Sequence, residues 1–367
     1  MRATIRDIAE RAGVSKTTVS FALNDPSRIS EATRLRVMAV VDELGYVPDP
    51  VARTLTTKRL GALGLLLPQP ITEAFRNPYL CEIVRGIGES CESRELSLTV
   101  LPPVKGRLLE AARRAFVDGL ITIGVGPGHE VVELLHLRHL PFVTIDGEDS
   151  ESTVNVGIDD ELAAYELMRR VLELGHRRVA VLSLRPEAIG LPGSSSSAAR
   201  DRRLAGFARA LAEAGLGLDS PTIEVRPAEG SLEGGAAAAA ALLSARRGGP
   251  EGPTALVAMA DIVALGAYEA CRKLGLRIPE DLSVVGFDDI PAAALARPPL
   301  TSLRQPGREK GAAAADLVLA LLEGKPVAHR RLEASLSFRG SLAAPPPASE
   351  ASGLHPAPRA QALGWAE

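Results

Sequence analysis

Three aspartates stand at positions where a carboxylate could bind a small molecule. Asp146 follows the apolar run FVTI, Asp261 follows LVAMA and Asp288 follows LSVVGF. A carboxylate at the end of a strand can accept hydrogen bonds from sugar hydroxyls or nucleobase N–H groups, or it can cap the following helix. Capping is the better interpretation for Asp159 and Asp160, and it competes with ligand binding at Asp261.

A glycine run raises the possibility of a dinucleotide-binding enzyme. In GLITIGVGPG, Gly124, Gly126 and Gly128 follow a predicted strand, and Asp146 comes at about the spacing of a ribose-binding acid. The third glycine comes too early, Pro127 interrupts the motif, and no good helix start follows. The sequence therefore argues against a dinucleotide cofactor.

Other catalytic and metal-binding patterns are weak. Three histidines lie on and beside a short predicted helix: His129, His136 and His139. They have no carboxylate partner at fixed spacing, so a surface face is a better interpretation than a metal site. The three cysteines are Cys81, Cys91 and Cys271. They lie far outside metal-ligand spacing and fit buried or free thiols in a reducing cytoplasm. No Ser/His/Asp or Cys/His arrangement emerges, so we expect no enzyme activity, no metal and no cofactor.

The body of the chain, residues 60–342, must position the strand-end carboxylates. Eight apolar runs predict strands: ALGLLLP, LSLTVLP, GLITIG, FVTIDG, VNVGID, RVAVLSL, TALVAMA and LSVVGFD. Helical stretches lie between them, such as YLCEIVRGIGESCESREL, DELAAYELMRRVLELG and DRRLAGFARALAEAGL. This alternation indicates an α/β fold with parallel sheets covered on both faces. Ligands of such sheets bind at the carboxyl ends of the strands. The body is too long for one comfortable sheet.

A separate head, residues 1–47, has the pattern of three short helices. Thr4 with Asp7 has the form of an N-terminal cap, and Gly13 ends the first helix. Ser15 caps a second helix that stops at NDP, and Ser30 caps a third, EATRLRVMAVVDELGY. The residues expected to face inward from the third helix are Ala32, Leu35, Met38, Val41 and Leu44. Three helices with a tight glycine turn between the first two follow the helix-turn-helix plan.

The second helix of that plan enters the major groove of DNA. Its polar side carries Lys16, Thr17, Ser20 and Phe21, opposite an apolar stripe of Val19, Ala22 and Leu23. An outward phenylalanine can contact thymine methyl groups, and Lys16 can reach guanine acceptors. For Phe21 alone, packing on a neighbouring loop is an equally good interpretation.

Length and charge agree with a DNA-binding head on a larger body. The chain has 367 residues, too many for one ordinary core, with 46% hydrophobic and 24% charged residues. Residues 1–59 carry ten Lys or Arg against seven Asp or Glu, a net charge of +3 that leaves −6 for the remainder. We expect neither a membrane span nor a secretory signal. Residues 343–367 are rich in Pro, Ala and Ser, which predicts a disordered tail.

The segments TIRDIAERAGVSKTTVSFALND and ISEATRLRVMAVVDELGYVPDPVARTL resemble the lactose/galactose-repressor family of bacterial transcription regulators. The likeness runs from Thr4 to Leu55 and resumes through the body to about Ser341, and the family's VSxxTVSxxLN core stands at Val14 to Asn24. The resemblance implies a homodimeric repressor that binds a pseudo-palindromic operator in double-stranded DNA. Together with the helix pattern, it indicates DNA contacts at Thr4, Ser15, Lys16, Thr17, Thr18, Ser20, Phe21, Asn24 and Ser30.

The segment PDPVARTLTTKR, residues 48–59, resembles the hinge helix of that family. About two turns of helix are too short to be stable alone in water. In the family the hinge orders on operator DNA and inserts a leucine into the minor groove. This implies a role for Leu55, with Ala52 and Arg53 beside it. A plain linker is the alternative interpretation.

The resemblance also implies a two-lobed, doubly wound body like that of periplasmic binding proteins. The chain is expected to cross between the lobes near Asp159, Asp289 and Lys325. An effector such as a sugar or a nucleoside would bind in the cleft. The implied contacts are Tyr79, Leu80, Asp146, Arg203, Asp288 and Gln305, to which its place after a strand adds Asp261.

Two departures from the family leave the effector open. Ala260 stands where sugar-responsive members often carry a polar residue. A long loop with four serines, Ser194 to Ser197, is expected to line or cover the mouth of the cleft. Some family members respond instead to a phosphorylated carrier protein, so a protein corepressor is an alternative to a small ligand.

Overall fold

The computed structural model describes residues 3–47, 59–185, 196–244 and 252–347. The chain divides into two units between Gly61 and Ala62. A three-helix head and a body with two largely parallel sheets confirm the predicted α/β fold class. The predicted hinge residues Ala52, Arg53 and Leu55 lie outside the described residues. Among the helices that are described, none is long and apolar enough to cross a membrane.

The head consists of α1 (Ile5–Ala12), α2 (Lys16–Asn24) and α3 (Glu31–Glu43), with a 3-10 turn at Pro26–Arg28. Each α-helix begins at its predicted hydroxyl cap. The side chains of Thr4, Ser15 and Ser30 each accept a hydrogen bond from the backbone N–H three residues further along. Gly13 ends α1 with a φ of 64°, in the left-handed region that glycine adopts without strain. The connection between α1 and α2 is therefore tight.

The core of the head corrects the expected inner face of α3. Val37, Val40 and Val41 are buried against α1 and α2, whereas Ala32 and Leu35 are exposed. The predicted set advanced by three residues at each step. Such steps drift around a helix of about 3.6 residues per turn, so the first members of the set rotate away from the core. The observed positions follow the i, i+3, i+4 pattern that keeps one face inward.

The described part of the body contains twelve strands. They are β1 (Ala62–Leu66), β2 (Ser97–Leu101), β3 (Gly119–Ile123), β4 (Phe142–Ile145), β5 (Val154–Gly157), β6 (Val179–Leu184), β7 (Ile223–Ala228), β8 (Ala255–Ala258), β9 (Ser283–Asp288), β10 (Thr301–Arg304), β11 (Arg330–Arg331) and β12 (Ser335–Ser337). All eight predicted strands are present. The sequence did not predict β7, which contains Pro227, or β10 and the very short strands β11 and β12.

The strands form two six-stranded sheets. The first has the order β11-β5-β4-β3-β1-β2 and is parallel throughout. The second has the order β12-β10-β9-β8-β6-β7, and only the pair β10 and β12 is antiparallel. We call each sheet with the helices that cover it a lobe, the first and the second.

The helices of the body are α4 (Ile71–Ala74), α5 (Pro78–Glu92), α6 (Leu108–Arg114), α7 (Glu130–Leu137), α8 (Asp160–Glu173), α9 (Ser196–Glu213), α10 (Leu232–Ser244), α11 (Asp261–Leu274), α12 (Pro291–Leu295) and α13 (Gly307–Leu322). In the first lobe, α5 and α13 cover one face of the sheet, and α6 and α7 cover the other. In the second lobe, α8 and α9 cover one face, and α10 and α11 the other. Each sheet is therefore buried on both faces, as its apolar strands require.

The chain crosses between the lobes three times, and two crossings differ from the expected positions. The first lies between β5 and α8. The second falls after β10, at Gln305 and Pro306, and not near Asp289, because β9 and β10 pair within one sheet. The third falls between β11 and β12, and not near Lys325, because these two strands extend different sheets.

The predicted disordered tail begins too early in the sequence. Leu342 is buried in the second lobe, and the structure describes the chain as far as Pro347. The carbonyl oxygen of Ala343 accepts hydrogen bonds from His176 Nε2 at 2.8 Å and from Ser283 Oγ at 3.2 Å. The start of the predicted tail is thus attached to the second lobe. Residues 348–367 lie outside the described part of the chain.

The helix pair α5 and α13 crosses at glycines where no side chain fits. A Cβ atom on Gly86 would lie 1.9 Å from the carbonyl oxygen of Arg308, and one on Gly311 would lie 2.1 Å from that of Ile83. The pairs α8–α9 and α10–α11 have glycines in equally close contact with the partner helix. Close backbone approach therefore recurs where helices pack side by side on a sheet.

We expect Gly86→Ala to destabilise the body by about 1–3 kcal/mol, because the added methyl group overpacks the contact with α13. Gly88→Ala on the same helix is the matched control, since no atom lies within 4 Å of its Cβ position. Alanine favours a helix over glycine by up to about 1 kcal/mol, so the control should be neutral or stabilised. Urea unfolding measures both changes. Equal stability of the two variants would contradict the close packing of α5 on α13.

Candidate functional site

A cavity of about 200 Å³ opens between the two lobes at the carboxyl ends of their strands. Six of the seven predicted effector residues line it: Tyr79, Leu80, Asp146, Arg203, Asp288 and Gln305. They come from five places in the fold, namely α5, α9 and the ends of β4, β9 and β10. The parallel sheets bring these places together because their strands end at the same edge.

A buried lysine organises the first-lobe side of the cavity. The ammonium group of Lys310, on α13, donates hydrogen bonds to Asp146 Oδ1 at 2.6 Å, Gln305 Oε1 at 2.7 Å and the Tyr79 hydroxyl at 2.8 Å. The Tyr79 hydroxyl in turn donates to Asp146 Oδ2 at 2.6 Å. Burial, followed by the adjacent Asp146 carboxylate, holds the pKa of Tyr79 well above its ordinary value, so the phenol keeps its proton.

A second buried ion pair organises the second-lobe side. Arg203 Nε donates to Asp160 Oδ1 at 2.9 Å, and its Nη1 donates to the carbonyl oxygen of Met259 at 2.7 Å. The guanidinium carbon lies 3.8 Å from the centroid of the Phe287 ring. Burial disfavours the charge of Asp160, but Arg203, Lys310 and Arg202 outweigh it and lower its pKa below the ordinary value. Asp160 is thus the counter-ion of Arg203, and not the helix cap that the sequence suggested.

Asp288 connects the two sides of the cavity. Its backbone has a φ of 122°, and Gln305 Nε2 donates a hydrogen bond to its Oδ1. Burial raises the pKa of Asp288 to about 7, although Arg203, Gln305 and Lys310 oppose the shift. The carboxyl group can therefore change charge near neutral pH.

Asp261 is the predicted effector residue that does not line the cavity. It is fully buried, and its carboxylate accepts hydrogen bonds from Ser302 Oγ at 2.6 Å and from the backbone N–H of Ile290 at 2.8 Å. These bonds tie β10 and the start of α12 to α11. Burial and the nearby Asp288 raise the pKa of Asp261 well above its ordinary value. In this structure its side chain holds the loop after Asp288 in place through these two hydrogen bonds.

The predicted cap at Asp159 is confirmed, because its side chain accepts a hydrogen bond from the backbone N–H of Leu162 at 3.0 Å. The cavity wall also includes an apolar surface formed by Leu80, Leu184, Met259, Ala260 and Ile262. Of the predicted serine loop, the residues before Ser196 lie outside the described part of the chain, and α9 begins at Ser196.

Lys310 and the role of Asp160 as the partner of Arg203 were not predicted from the sequence. A signal for Lys310 does exist in the sequence. It lies three residues after Gly307 and four before Ala314, on the buried face of an alanine-rich helix where a charged side chain needs a partner. A lysine at a helix position that is otherwise occupied by small, buried residues indicates a buried ion pair.

The head presents a second candidate site on α2. Lys16, Thr17 and Asn24 are exposed on the side away from the core, and Ser20 and Phe21 are half-buried there. The predicted polar face is therefore present. The stripe of Val19, Ala22 and Leu23 contributes to the core of the head. The hydroxyl group of Thr18 already has a hydrogen-bonding partner in the head, since it lies 2.9 Å from that of Ser15.

Phe21 combines the two interpretations that the sequence left open. It projects from the polar face of α2, and the guanidinium carbon of Arg28, from the 3-10 turn, lies 5.2 Å from the centroid of its ring. A cation over the ring restrains its position. A restrained aromatic ring on this face of α2 is suited to apolar contact with thymine methyl groups.

The dinucleotide and metal alternatives find no support in the geometry. The helix after the glycine run, α7, is capped by His129, whose Nδ1 accepts from the N–H of Val131, so one N–H group of its first turn already has a partner within the chain. His136 lies 2.9 Å from the carbonyl oxygen of Ser152 and edge-on to Phe142. Within the described ranges, no group of three or more His, Cys, Asp or Glu residues could hold a metal ion.

A helix-turn-helix head and a two-lobed body with a polar cleft define a DNA-binding protein with a site for a small molecule. Residues 4–49 match the profile of the bacterial regulatory proteins of the lacI family, and residues 168–342 match that of the periplasmic binding protein-like domain. The HTH-type transcriptional regulator Rv3575c of Mycobacterium tuberculosis (strain ATCC 25618 / H37Rv) is 36% identical over 333 residues, which cover 87% of this chain and 90% of the relative.

Two solved structures share the fold over nearly the whole chain. The lac repressor dimer bound to operator and the anti-inducer ONPF has a TM-score of 0.78 at 26% identity, with 94% of this chain and 100% of that chain covered. The complex of the transcriptional regulator CelR with cellobiose has a TM-score of 0.65 at 28% identity, with 93% and 100% covered. The chain belongs to the lacI family of bacterial regulatory proteins. It is a helix-turn-helix transcription regulator and not an enzyme.

The raised pKa of Asp288 predicts a pH-dependent stability. In the folded body the pKa is about 7, against 3.8 for the free side chain. Between these values the unfolded chain has lost the proton that the folded chain keeps, so stability falls as pH rises, by at most about 1.4 kcal/mol per pH unit for one proton. Asp288→Asn should flatten this decline, whereas the exposed control Asp201→Asn should not. Urea unfolding at several pH values measures both slopes, and an unchanged slope in Asp288→Asn would contradict the assignment.

Proposed function

We propose that this regulator is a homodimeric repressor whose affinity for a pseudo-palindromic operator is set by a small polar molecule bound between the lobes. The observation that carries the proposal is the meeting of polar side chains from both lobes in one cavity of a chain that also has a DNA-reading head. The complexes of the lac repressor with operator and of CelR with cellobiose support it by similarity.

The head accounts for sequence-specific DNA binding. The exposed N-terminal end of α2 presents Lys16 and Thr17, which can enter the major groove, while Phe21 contributes an apolar contact. The helix caps at Thr4, Ser15 and Ser30 leave N-terminal N–H groups at the surface, where phosphate groups can bind. One head reads only a few base pairs, so two-fold symmetry is needed to double the contact.

The unused hydrogen-bonding capacity of the cavity indicates the chemistry of the effector. Arg203 donates through Nε and Nη1, which leaves Nη2 without a partner among the described residues. Asp288 accepts from Gln305 through Oδ1 and from the backbone N–H of Asp261, and its carboxyl group lines the cavity. Asp146 keeps spare lone pairs on both oxygens. The effector should therefore donate hydrogen bonds to a carboxylate in each lobe and accept one from Arg203, as a polyhydroxyl compound or a nucleoside can.

Ligand control of DNA binding requires a difference in effector affinity between two arrangements of the protein. Asp146 belongs to the first lobe and Asp288 to the second, so an effector that bonds to both favours one spacing of the lobes. The hinge segment with Leu55 is the proposed link to the operator, because a helix of two turns forms only when its surroundings hold it.

Lys16→Ala and Phe21→Ala should each relax base preference by about 1–3 kcal/mol at the bases that they contact. Ser30→Ala should weaken binding to all sequences alike, because a cap near a phosphate carries no base information. Lys325→Ala, an exposed lysine of the body, is the control and should leave operator binding unchanged. Selection from random duplexes measures preference, and fluorescence anisotropy measures affinity. The same selected motif for the wild type and both α2 variants would contradict the groove-facing assignment.

Arg203→Lys and Asp288→Asn should abolish the response to effector while leaving effector-free operator binding nearly intact. Lysine keeps a cation beside Asp160 but loses the planar fork of the guanidinium group, so the pair survives and the free donor does not. Arg209→Lys, exposed on the same helix, is the matched control. A thermal-shift screen of sugars and nucleosides identifies the effector, and operator binding with and without it gives the response. A full response to the effector in both variants would contradict binding of the effector in this cavity.

A further inference from the structure

The buried lysine at the cleft has no direct role in binding the proposed effector. Lys310 is fully buried, and its ammonium group has three N–H donors. Asp146, Gln305 and Tyr79 accept all three hydrogen bonds, at 2.6 to 2.8 Å. Its ammonium group is saturated within the protein, so Lys310 acts on the groups that face the ligand.

We propose that Lys310 is a specificity-determining residue: as the internal counter-charge of Asp146, it restricts the cleft to effectors that carry no net charge. This inference rests on the proposed function, because it concerns the same cavity. It goes beyond the proposed function by specifying the net charge of the effector and by naming Lys310 as the residue that selects for that charge.

The charges that surround Asp146 are already paired within the protein. The groups that face it are Tyr79 from α5, Lys310 from α13, Arg203 from α9 and Asp288 from β9. Asp160 on α8 is the partner of Arg203 and of the partly exposed Arg202. Each lobe thus supplies one buried ion pair, Lys310 with Asp146 and Arg203 with Asp160. A cationic ligand would have to compete with an ammonium group 2.6 Å from Asp146. An anionic ligand would lie against the carboxyl groups of Asp146 and Asp288.

Lys310 also determines which way the side-chain amide of Gln305 faces. A lysine has donors only, so the amide oxygen Oε1 must be the atom that meets it. The amide nitrogen Nε2 then faces Asp288 and donates to its Oδ1. One ammonium group in the first lobe therefore sets the hydrogen-bonding pattern of a carboxyl group in the second.

The first test needs no ligand. In the full-length Lys310→Met variant, Asp146 has lost its cationic partner but remains partly buried. Its carboxyl group then avoids an unpaired charge by taking up a proton. The variant should lose stability relative to the wild type, and the loss should grow as pH rises from about 5 to about 8. Lys310→Met combined with Asp146→Asn should regain the pH profile of the wild type. Lys273→Met, an exposed lysine on α11, is the control for loss of a lysine and should follow the wild type.

A parallel pH profile for Lys310→Met and the wild type would overturn the counter-charge role, and so would a double variant with the pH dependence of the single one. If Lys310→Met does not fold, the comparison moves to the double variant. Its recovery of folding would support the pairing of the two charges, and failure of both to fold while Asp146→Asn alone folds would overturn it.

The second test compares two ligands of nearly the same shape, glucose and glucosamine, which differ by one ammonium group. We expect the wild type to favour glucose, and the ratio of the two dissociation constants to shift at least about tenfold towards glucosamine in Lys310→Met. Isothermal titration calorimetry gives both constants. An unchanged ratio would overturn the selection against charge. Binding of neither sugar to any of the proteins would exclude glucose-like hexoses as effectors in the proposed function, and the pH profiles would still decide the counter-charge role of Lys310.

Discussion

The interaction on which the cleft depends is the neutralisation of a lysine ammonium group inside the body. Removing an ion from water costs several kcal/mol even after relaxation, so Lys310 is stable there only with good partners. The partners are a carboxylate, a phenol and an amide oxygen at hydrogen-bonding distance. Their positions are fixed by this requirement, and they belong to the side chains that line the cavity. The three side chains that neutralise Lys310 are therefore also part of the cavity wall.

The second lobe also contains a buried cation. Arg203 is buried, its charge is balanced by Asp160, and its guanidinium group stacks on the ring of Phe287. Between the two ion pairs lies Asp288, whose burial leaves it poised to gain or lose a proton near neutral pH. The cavity thus combines two buried ion pairs with one carboxyl group that can change its charge. The ion pairs allow charged side chains to lie between two apolar cores.

The sequence predicted the parts of the fold that depend on apolar patterning. The eight buried strands and the three helix caps of the head are strong local signals. The strands β11 and β12 have three residues or fewer, too few to show a pattern, and the last crossing was misplaced for that reason. For the site, strand ends located Asp146 and Asp288, while Arg203 and Gln305 depended on family resemblance. Asp261 has the same local signal, but its side chain turns to Ser302 and Ile290, a direction that only tertiary packing sets. Lys310 was missed because its partners are 5, 164 and 231 residues away.

The path of the chain through the lobes affects the order in which the protein is completed during synthesis. The first sheet has five of its strands by Gly157, but the helix that covers much of one face, α13, begins only at Gly307. Five of the six strands of the second lobe, and the helices that cover them, are made in between. At about 5–20 residues per second, translation of that interval takes on the order of 10 s. During this time the strands of the first lobe remain without α13, and Tyr79 and Asp146 remain without Lys310. The apolar face that α13 covers in the finished protein is therefore exposed until Gly307–Leu322 has been made.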